Sequence, residues 1–247
     1  MTILFCATII YMKDIKQKVA IFDIDGTIFR SSLLIELVEA LIADGLFPAN
    51  AKKSYEREYK RWLDREDTYE KYITAVVNVF IKNIKGVAYK SFLDTGKAMV
   101  VSKKNMVYRY TRDLIKDLKK RGYFLLAISQ SPKGILDPFC KELGFDKVYG
   151  RMYELGPQDC FTGKVTDEHL IANKANIVKR AVEKENLTLK GSVAVGDTDD
   201  DISMLELTDN PICFNPNQKL YRYAKINNWK VVVERKDVVF DMSKIKI

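Results

Sequence analysis

The order of apolar and polar positions along the 247-residue chain predicts a buried sheet and one long helical stretch between two of its strands. Lys18–Asp23 (KVAIFD), Tyr123–Ser129 (YFLLAIS) and Ser192–Asp197 (SVAVGD) are apolar runs rich in β-formers, without polar alternation. Such runs read as strands covered on both faces. Shorter strands are expected near Val148, at Pro211–Phe214 and at Lys230–Val233. Helical spacing marks Ser31–Asp44, where Leu33, Leu34, Leu37, Val38 and Leu41 form a stripe and Gly45 stops it. Residues 50–107 continue in that idiom, with Tyr69, Tyr72, Val76 and Val79/Phe80 on one face. Further helices are expected from Thr111 to Gly122, around Pro138–Leu143 after a turn at Ser131-Pro132, and over 173–185. Strands alternating with helices predict an α/β fold, a Rossmann-like parallel sheet sandwiched by helices with an inserted α-helical cap domain. The expected division is a core of 13–30 and 108–247, a cap of 31–107 and an N-terminal extension of 1–12. Hinges are expected near Phe29–Ser32 and Asn105–Thr111.

Composition narrows the chemistry. The single histidine, His169, leaves no multi-histidine metal site and reads as a surface or packing residue. Cys6, Cys140, Cys160 and Cys213 form no CxxC pair, so a zinc knuckle and a dithiol redox pair are excluded. Scattered thiols fit a reducing cytosol, and a cytoplasmic location is expected. No apolar run approaches the roughly 18 residues that span a bilayer, so no membrane partner is expected. The net charge is +8, and residues 51–121 carry 19 basic against 9 acidic side chains. That excess reads mainly as a solvated helical surface, and functionally as a basic lid that draws anionic ligands. No nucleic-acid motif accompanies it, so nucleic acid is not expected as a partner. The oligomeric state stays open.

Three strand ends carry unusual residues: Asp23-Ile24-Asp25-Gly26-Thr27, Ser129, and Gly196-Asp197-Thr198-Asp199-Asp200-Asp201. Ligands of open parallel sheets bind beyond the carboxyl ends of the strands. If these strands are neighbours, Asp23, Asp25, Asp197 and Asp201 converge with Ser129. Two carboxylates about 4 Å apart repel by roughly 4 kcal/mol at an effective dielectric near 20. Such a cluster persists around a cation or with some members protonated. Oxygen-only ligands favour a hard ion, and Mg²⁺ where a phosphate is also met.

DIDGT, a strand-end serine, a downstream lysine and GDxxxD resemble the four motifs of the haloacid dehalogenase superfamily. The helical stretch after the first motif resembles the cap of its phosphoserine phosphatase-like branch. The resemblance covers roughly residues 18–235. It implies a nucleophilic role for Asp23, which would become an aspartyl-phosphate, and a general acid/base role for Asp25 with a raised pKa. It implies that Thr27, Ser129, Gln130, Lys174 and Asp200 meet the phosphate. Lys174 would neutralise the phosphoryl oxygens and the nucleophile, with Lys164 and Lys179 as competing lysines. Asp197, the Asp23 side chain and the Asp25 backbone carbonyl would hold Mg²⁺, and Asp201 would orient the lysine or a metal-bound water. Asp200 stands where phosphoserine phosphatases tend to carry Asn. Asp199 reads as a turn residue.

The resemblance implies a Mg²⁺-dependent phosphomonoester phosphatase acting on a small phosphorylated metabolite. The alternatives are a phosphotransferase using the same aspartyl-phosphate and a non-enzymatic phosphate-binding module. A dehalogenase is disfavoured, because those relatives lack the second aspartate. Phosphoserine phosphatases carry a Glu nine residues after the nucleophile, and this chain has Ser32 there, which argues against phosphoserine. Arg57, Arg61 and Arg65 lead to the expectation of a substrate with more negative charge than one phosphate. Trp62 and the cap tyrosines read as the cap's own core.

Overall fold

The computed structural model describes residues 16–166 and 173–242. The expected extension of 1–12 and His169 lie outside the described residues. Eight strands are joined in one sheet: β1 (Gln17–Phe22), β2 (Phe124–Pro132), β3 (Lys147–Leu155), β4 (Phe161–Thr166), β5 (Leu187–Gly196), β6 (Asn210–Phe214), β7 (Lys230–Arg235) and β8 (Val238–Asp241). Their order is β4-β3-β2-β1-β5-β6-β7-β8. The six inner strands run parallel, and β4 and β8 add antiparallel edges. From β1 the chain builds outward through β2 and β3, then returns to β1's other side for β5. The sheet therefore changes winding direction at β1, where a ligand crevice opens in such folds.

The helices are α1 (Leu33–Ala43), α2 (Lys53–Leu63), α3 (Tyr69–Ile84), α4 (Tyr89–Lys103), α5 (Arg109–Lys120), α6 (Lys133–Leu143), α7 (Lys174–Lys184), α8 (Ile202–Leu205) and α9 (Gln218–Ile226). Alternation along β1 sends Val19 and Ile21 to one face of the sheet and Ala20 and Phe22 to the other. The first face meets Ile177, Val178 and Ala181 of α7. The second meets α1, α5 and α6, and its buried cluster continues without a break into Val76 and Phe80 of α3 and Phe92 of α4. The helical stretch thus has no core of its own apart from the sheet's.

Two fastenings hold that stretch. Where it leaves and rejoins the sheet, the chain ends pair: Arg30 N donates to Met106 O at 2.8 Å and Tyr108 N to Ile28 O at 2.9 Å. Both expected hinges therefore lie in one hydrogen-bonded ribbon. Farther out, α4 crosses α6 at close range. A Cβ on Gly96 would lie 2.0 Å from Ile135 Cδ1, and one on Gly134 would lie 2.9 Å from Leu93 Cδ2. These glycines let the helix backbones approach more closely than alanines allow.

Three local expectations need correction. No turn interrupts Ser131-Pro132: β2 runs through Pro132, whose φ of −59° and ψ of 130° are extended, and α6 starts at Lys133. Pro138 sits inside α6, not at its start. The edge strands β4 and β8 and helix α9 were absent from the apolar pattern. Short edge strands exposed on one side carry no continuous apolar run, and α9 buries only Leu220 and Ala224.

Candidate active site

Asp23 follows the last residue of β1, and its amide donates to Val195 O at 2.9 Å, extending the β1–β5 register by one step. Asp197 follows the last residue of β5, so the two carboxylates start from adjacent strand ends. Asp201 closes the 3-10 turn Asp199–Asp201, and its Oδ2 accepts from the amides of Asp197 (2.9 Å) and Thr198 (3.0 Å). One carboxylate oxygen from each of Asp23, Asp197 and Asp201 lies within 4.8 Å of the others. Lys174 opens α7, whose N-cap Asn173 accepts from Ala175 N. Its Nζ lies 2.6 Å from Asp23 Oδ1 and 2.6 Å from Asp201 Oδ1, and the residue is 5% exposed. Lys164 and Lys179 are exposed, which decides among the three lysines.

The charge balance of this cluster is lopsided. Burial pushes the Asp23 carboxyl up to about 7; Lys174 pulls it back, while Asp201 and Asp25 push further. Burial and then the charges of Asp23 and Asp201 raise Asp197 well above the carboxylate range, against the Thr27 hydroxyl and Lys174. For Lys174, burial works against the ammonium, but Asp201 and Asp23 outweigh it and raise its pKa. Acids that hold their protons this high lack positive charge around them. An oxygen-only, electron-rich donor set fits a hard divalent cation such as Mg²⁺.

Asp25 is fixed by three donors. Its Oδ1 accepts from Leu33 N, the first amide of α1, at 2.6 Å; its Oδ2 accepts from Ser129 Oγ (2.6 Å) and Ser131 Oγ (2.8 Å). Ser32 caps the same helix by accepting from Leu34 N. Ser131 is a site residue that the sequence reading missed. The signal was available: in an unbroken strand, Ser129 and Ser131 fall on one face and Gln130 on the other. Gln130 is accordingly exposed and accepts from Arg151 Nη2 at 2.6 Å, away from the carboxylates. Thr27 is fully buried and donates to Asp197 Oδ1 at 3.0 Å, so its hydroxyl supports a carboxylate. Asp200 is exposed on the rim, and Asp199 is tied to Asn217 and Lys219. Gly26, at φ +81°, is required by crowding, because a Cβ there would sit 2.2 Å from Asp197 Oδ2.

A cavity of about 590 Å³ runs from Gly26 and Ser31 to the helical stretch. One wall is aromatic: Tyr55, Tyr59, Trp62, Tyr69, Tyr72 and Tyr108. The charged lining is Glu36, Glu39, Glu56, Arg30 and Lys52. Arg57, Arg61 and Arg65, expected to meet a second anionic group, are not among its lining residues. Arg57 and Arg65 are exposed, and Arg61 pairs with Asp67 at 3.5 Å and Glu66 at 4.0 Å. A sum of charges along the chain did not reveal this pairing.

Acids from adjacent strand ends of a parallel sheet, a buried lysine held between two of them and an adjoining cavity make up the candidate site. The chain belongs to the haloacid dehalogenase-like hydrolase family, whose model matches residues 20–206. It is 24% identical over 224 residues to a phosphoserine phosphatase of Methanocaldococcus jannaschii, covering 90% of this chain and 95% of that one. It is 22% identical over 224 residues to a histidinol-phosphatase of Neisseria meningitidis, covering 87% and 98%. Among solved structures, a phosphoserine phosphatase with a phospho-aspartyl intermediate analogue superposes with a TM-score of 0.61 at 21% identity, over 90% of this chain and 96% of that one. Among the described residues, no helix is long and apolar enough to cross a membrane.

Proposed function

We propose that the protein is a Mg²⁺-dependent phosphomonoesterase that forms an aspartyl-phosphate on Asp23. The observation that carries this reading is Lys174 Nζ held 2.6 Å from both Asp23 and Asp201, beside Asp197, in a buried pocket. In the first step an Asp23 carboxylate oxygen bonds to phosphorus, the ester P–O bond breaks, and the Asp25 carboxyl gives its proton to the leaving oxygen. In the second, a water oxygen bonds to phosphorus, Asp25 takes the water's proton, and the Asp23–phosphorus bond breaks to release phosphate. The 2.6 Å contact of Asp25 with Ser129 serves both states, because a serine oxygen can donate or accept. Lys174 stabilises the charge on the transferring oxygens, and Asp201 holds it in place. Asp23, Asp197 and the Asp25 carbonyl would hold Mg²⁺, which supplies further positive charge to the phosphoryl oxygens. Helices α1–α4 act as the cap that shapes the cavity.

Turnover of a phosphomonoester panel with and without Mg²⁺ tests this reading. Free phosphate should appear only with the metal, and added alcohols should not divert it into new esters. Diversion would favour the phosphotransferase. Persistent inactivity across the panel would favour a binding module. Ser32, 3% exposed and occupied in capping α1, supports the expectation that phosphoserine is not the substrate.

Metal binding should also show in stability. The Asp23 carboxyl, at about 7 in the fold against 3.8 unfolded, favours the folded chain fully below 3.8, and that contribution is lost as pH rises through 7. Asp197 acts in the same direction. A divalent cation replaces the lost protons. The Tm gained by Mg²⁺ over EDTA should be small at pH 5 and on the order of 5 °C at pH 8. A gain independent of pH would contradict the charge assignment.

A further inference from the structure

We infer that the cavity selects a phosphomonoester whose alcohol portion carries an organic cation, an ammonium or alkylated ammonium, seated against the faces of Tyr59, Trp62 and Tyr69. This rests on the phosphomonoesterase reading and specifies its substrate class. The aromatic wall is continuous. Tyr59 and Tyr72 lie 5.1 Å apart between ring centroids, Trp62 and Tyr69 5.4 Å, and Trp62 and Tyr72 5.7 Å with planes inclined by 15°. Tyr72 and Tyr55 are buried behind it, whereas Tyr59 is 38% and Tyr69 39% exposed. Tyr55, Tyr72 and the half-buried Trp62 pack as the core reading expects, Trp62 with one face stacked on Tyr72, while Tyr59 and Tyr69 keep open surface at the cavity. Open aromatic faces attract cations through the ring quadrupole, most strongly at Trp.

The charges around the wall give the sign. Glu39 is paired with Lys52 at 2.9 Å, and Glu36 with Lys103 at 3.1 Å. Of the charged groups lining the cavity, Arg30 and Glu56 have no ion-pair partner among the described residues. Arg30 follows the first acidic motif, four residues after Gly26, at the end where a phosphate would enter. Glu56 stands on α2 with Tyr59 and Trp62. Positive charge from Arg30 and a carboxylate from Glu56, on the same helix as Tyr59 and Trp62, complement a zwitterionic ester. Tyr55 Oη donates to Glu39 at 2.5 Å, which keeps a second carboxylate directly behind the wall. The phenols register this field: burial and then the bond and charge of Glu39 raise Tyr55, and burial and then Glu39 push Tyr72 up to about 12. A neutral ring would stack on the wall but leave Glu56 without a counter-charge, and an anionic head group would be repelled.

The test compares three synthetic esters of similar size with Mg²⁺ present: phosphocholine, its uncharged carbon isostere 3,3-dimethylbutyl phosphate, and a carboxylate-bearing alkyl phosphate. Phosphocholine should exceed the neutral isostere at least tenfold in kcat/KM, about 1.4 kcal/mol, mainly through KM. The anionic ester should be the poorest. Trp62→Leu should bring phosphocholine down to the rate of the isostere, while Trp62→Phe, which keeps an aromatic face, should retain most of the preference. Equal rates for the cationic and neutral esters, or preference for the anionic one, would overturn the inference and leave the phosphomonoesterase reading standing. No turnover of any of the three would overturn the inference, and the wider panel with and without Mg²⁺ then decides the phosphomonoesterase reading separately.

Discussion

Asp23→Asn should lower kcat by at least about 10⁴-fold, because losing the attacking group of an enzyme typically removes nearly all of its covalent chemistry. The fold should not suffer. Asn keeps the shape of Asp while removing one carboxylate from a cluster in which Asp23, Asp197 and Asp201 gather beside the ammonium of Lys174. Burial and two like charges already hold the Asp23 carboxyl near 7, so at pH 8 its ionised form is a burden on the metal-free chain. The variant, without metal at pH 8, should therefore melt at or above the wild-type temperature while turning over no phosphomonoester. Stability and activity are opposed at this residue, as expected where a site is assembled against its own repulsion. A variant that loses activity only because it unfolds would refute that account, and thermal melts alongside single-turnover assays separate the cases.

Lys174→Met should harm both properties. Its ammonium is the 2.6 Å partner of two buried carboxylates. Removing one partner of a buried ion pair typically costs about 3–5 kcal/mol, because the remaining charge stays buried and uncompensated. The loss should appear in denaturant unfolding as a lower midpoint with an unchanged slope, and it should shrink as pH falls and Asp23 takes up a proton. Turnover should fall by on the order of 10³-fold, the scale of losing one preorganised charge-stabilising donor. Mg²⁺ should restore part of the stability, since it supplies positive charge to the same carboxylates, but little of the rate, since it does not take the lysine's place beside the nucleophile. Retention of kcat within tenfold would remove Lys174 from the reaction.

The acids of the site were legible because they sit where apolar runs end, and strand ends of a parallel sheet must face one crevice. Lys174 was legible from its spacing, and the fold resolved the choice against Lys164 and Lys179 through burial. What the sequence concealed was the direction of side chains. Pro132 reads as a turn signal, yet its fixed φ suits an extended strand as well, and the three residues so added to β2 bring Ser131 in and turn Gln130 out. The resemblance implies that Thr27 meets the phosphate, and what the fold adds is that its hydroxyl donates to Asp197. The sign of the cavity was concealed for another reason. Arg57, Arg61 and Arg65 dominate a count along the chain, whereas the glutamates facing the cavity come from α1 and α2 together and meet only in three dimensions.

The close crossing of α4 on α6 constrains how anything gets in. Swinging all four helices as a rigid hood would tear Gly96 from Ile135 and Gly134 from Leu93, exposing apolar surface at every catalytic cycle. Opening is cheaper if only α2 lifts, since Tyr55 is its one buried residue, while α3, with Val76, Phe80 and Ile84 fully buried, stays with α4 as the doorpost. At the start of that leaf, the ion pair of Lys52 with Glu39 of α1, at 2.9 Å, leaves both side chains partly in water. An exposed pair of this kind holds weakly, which suits a door that must be released each time product leaves. Cross-linking α4 to α6 should thus leave traffic through the entrance intact, whereas tethering α2 to α1 should halt it.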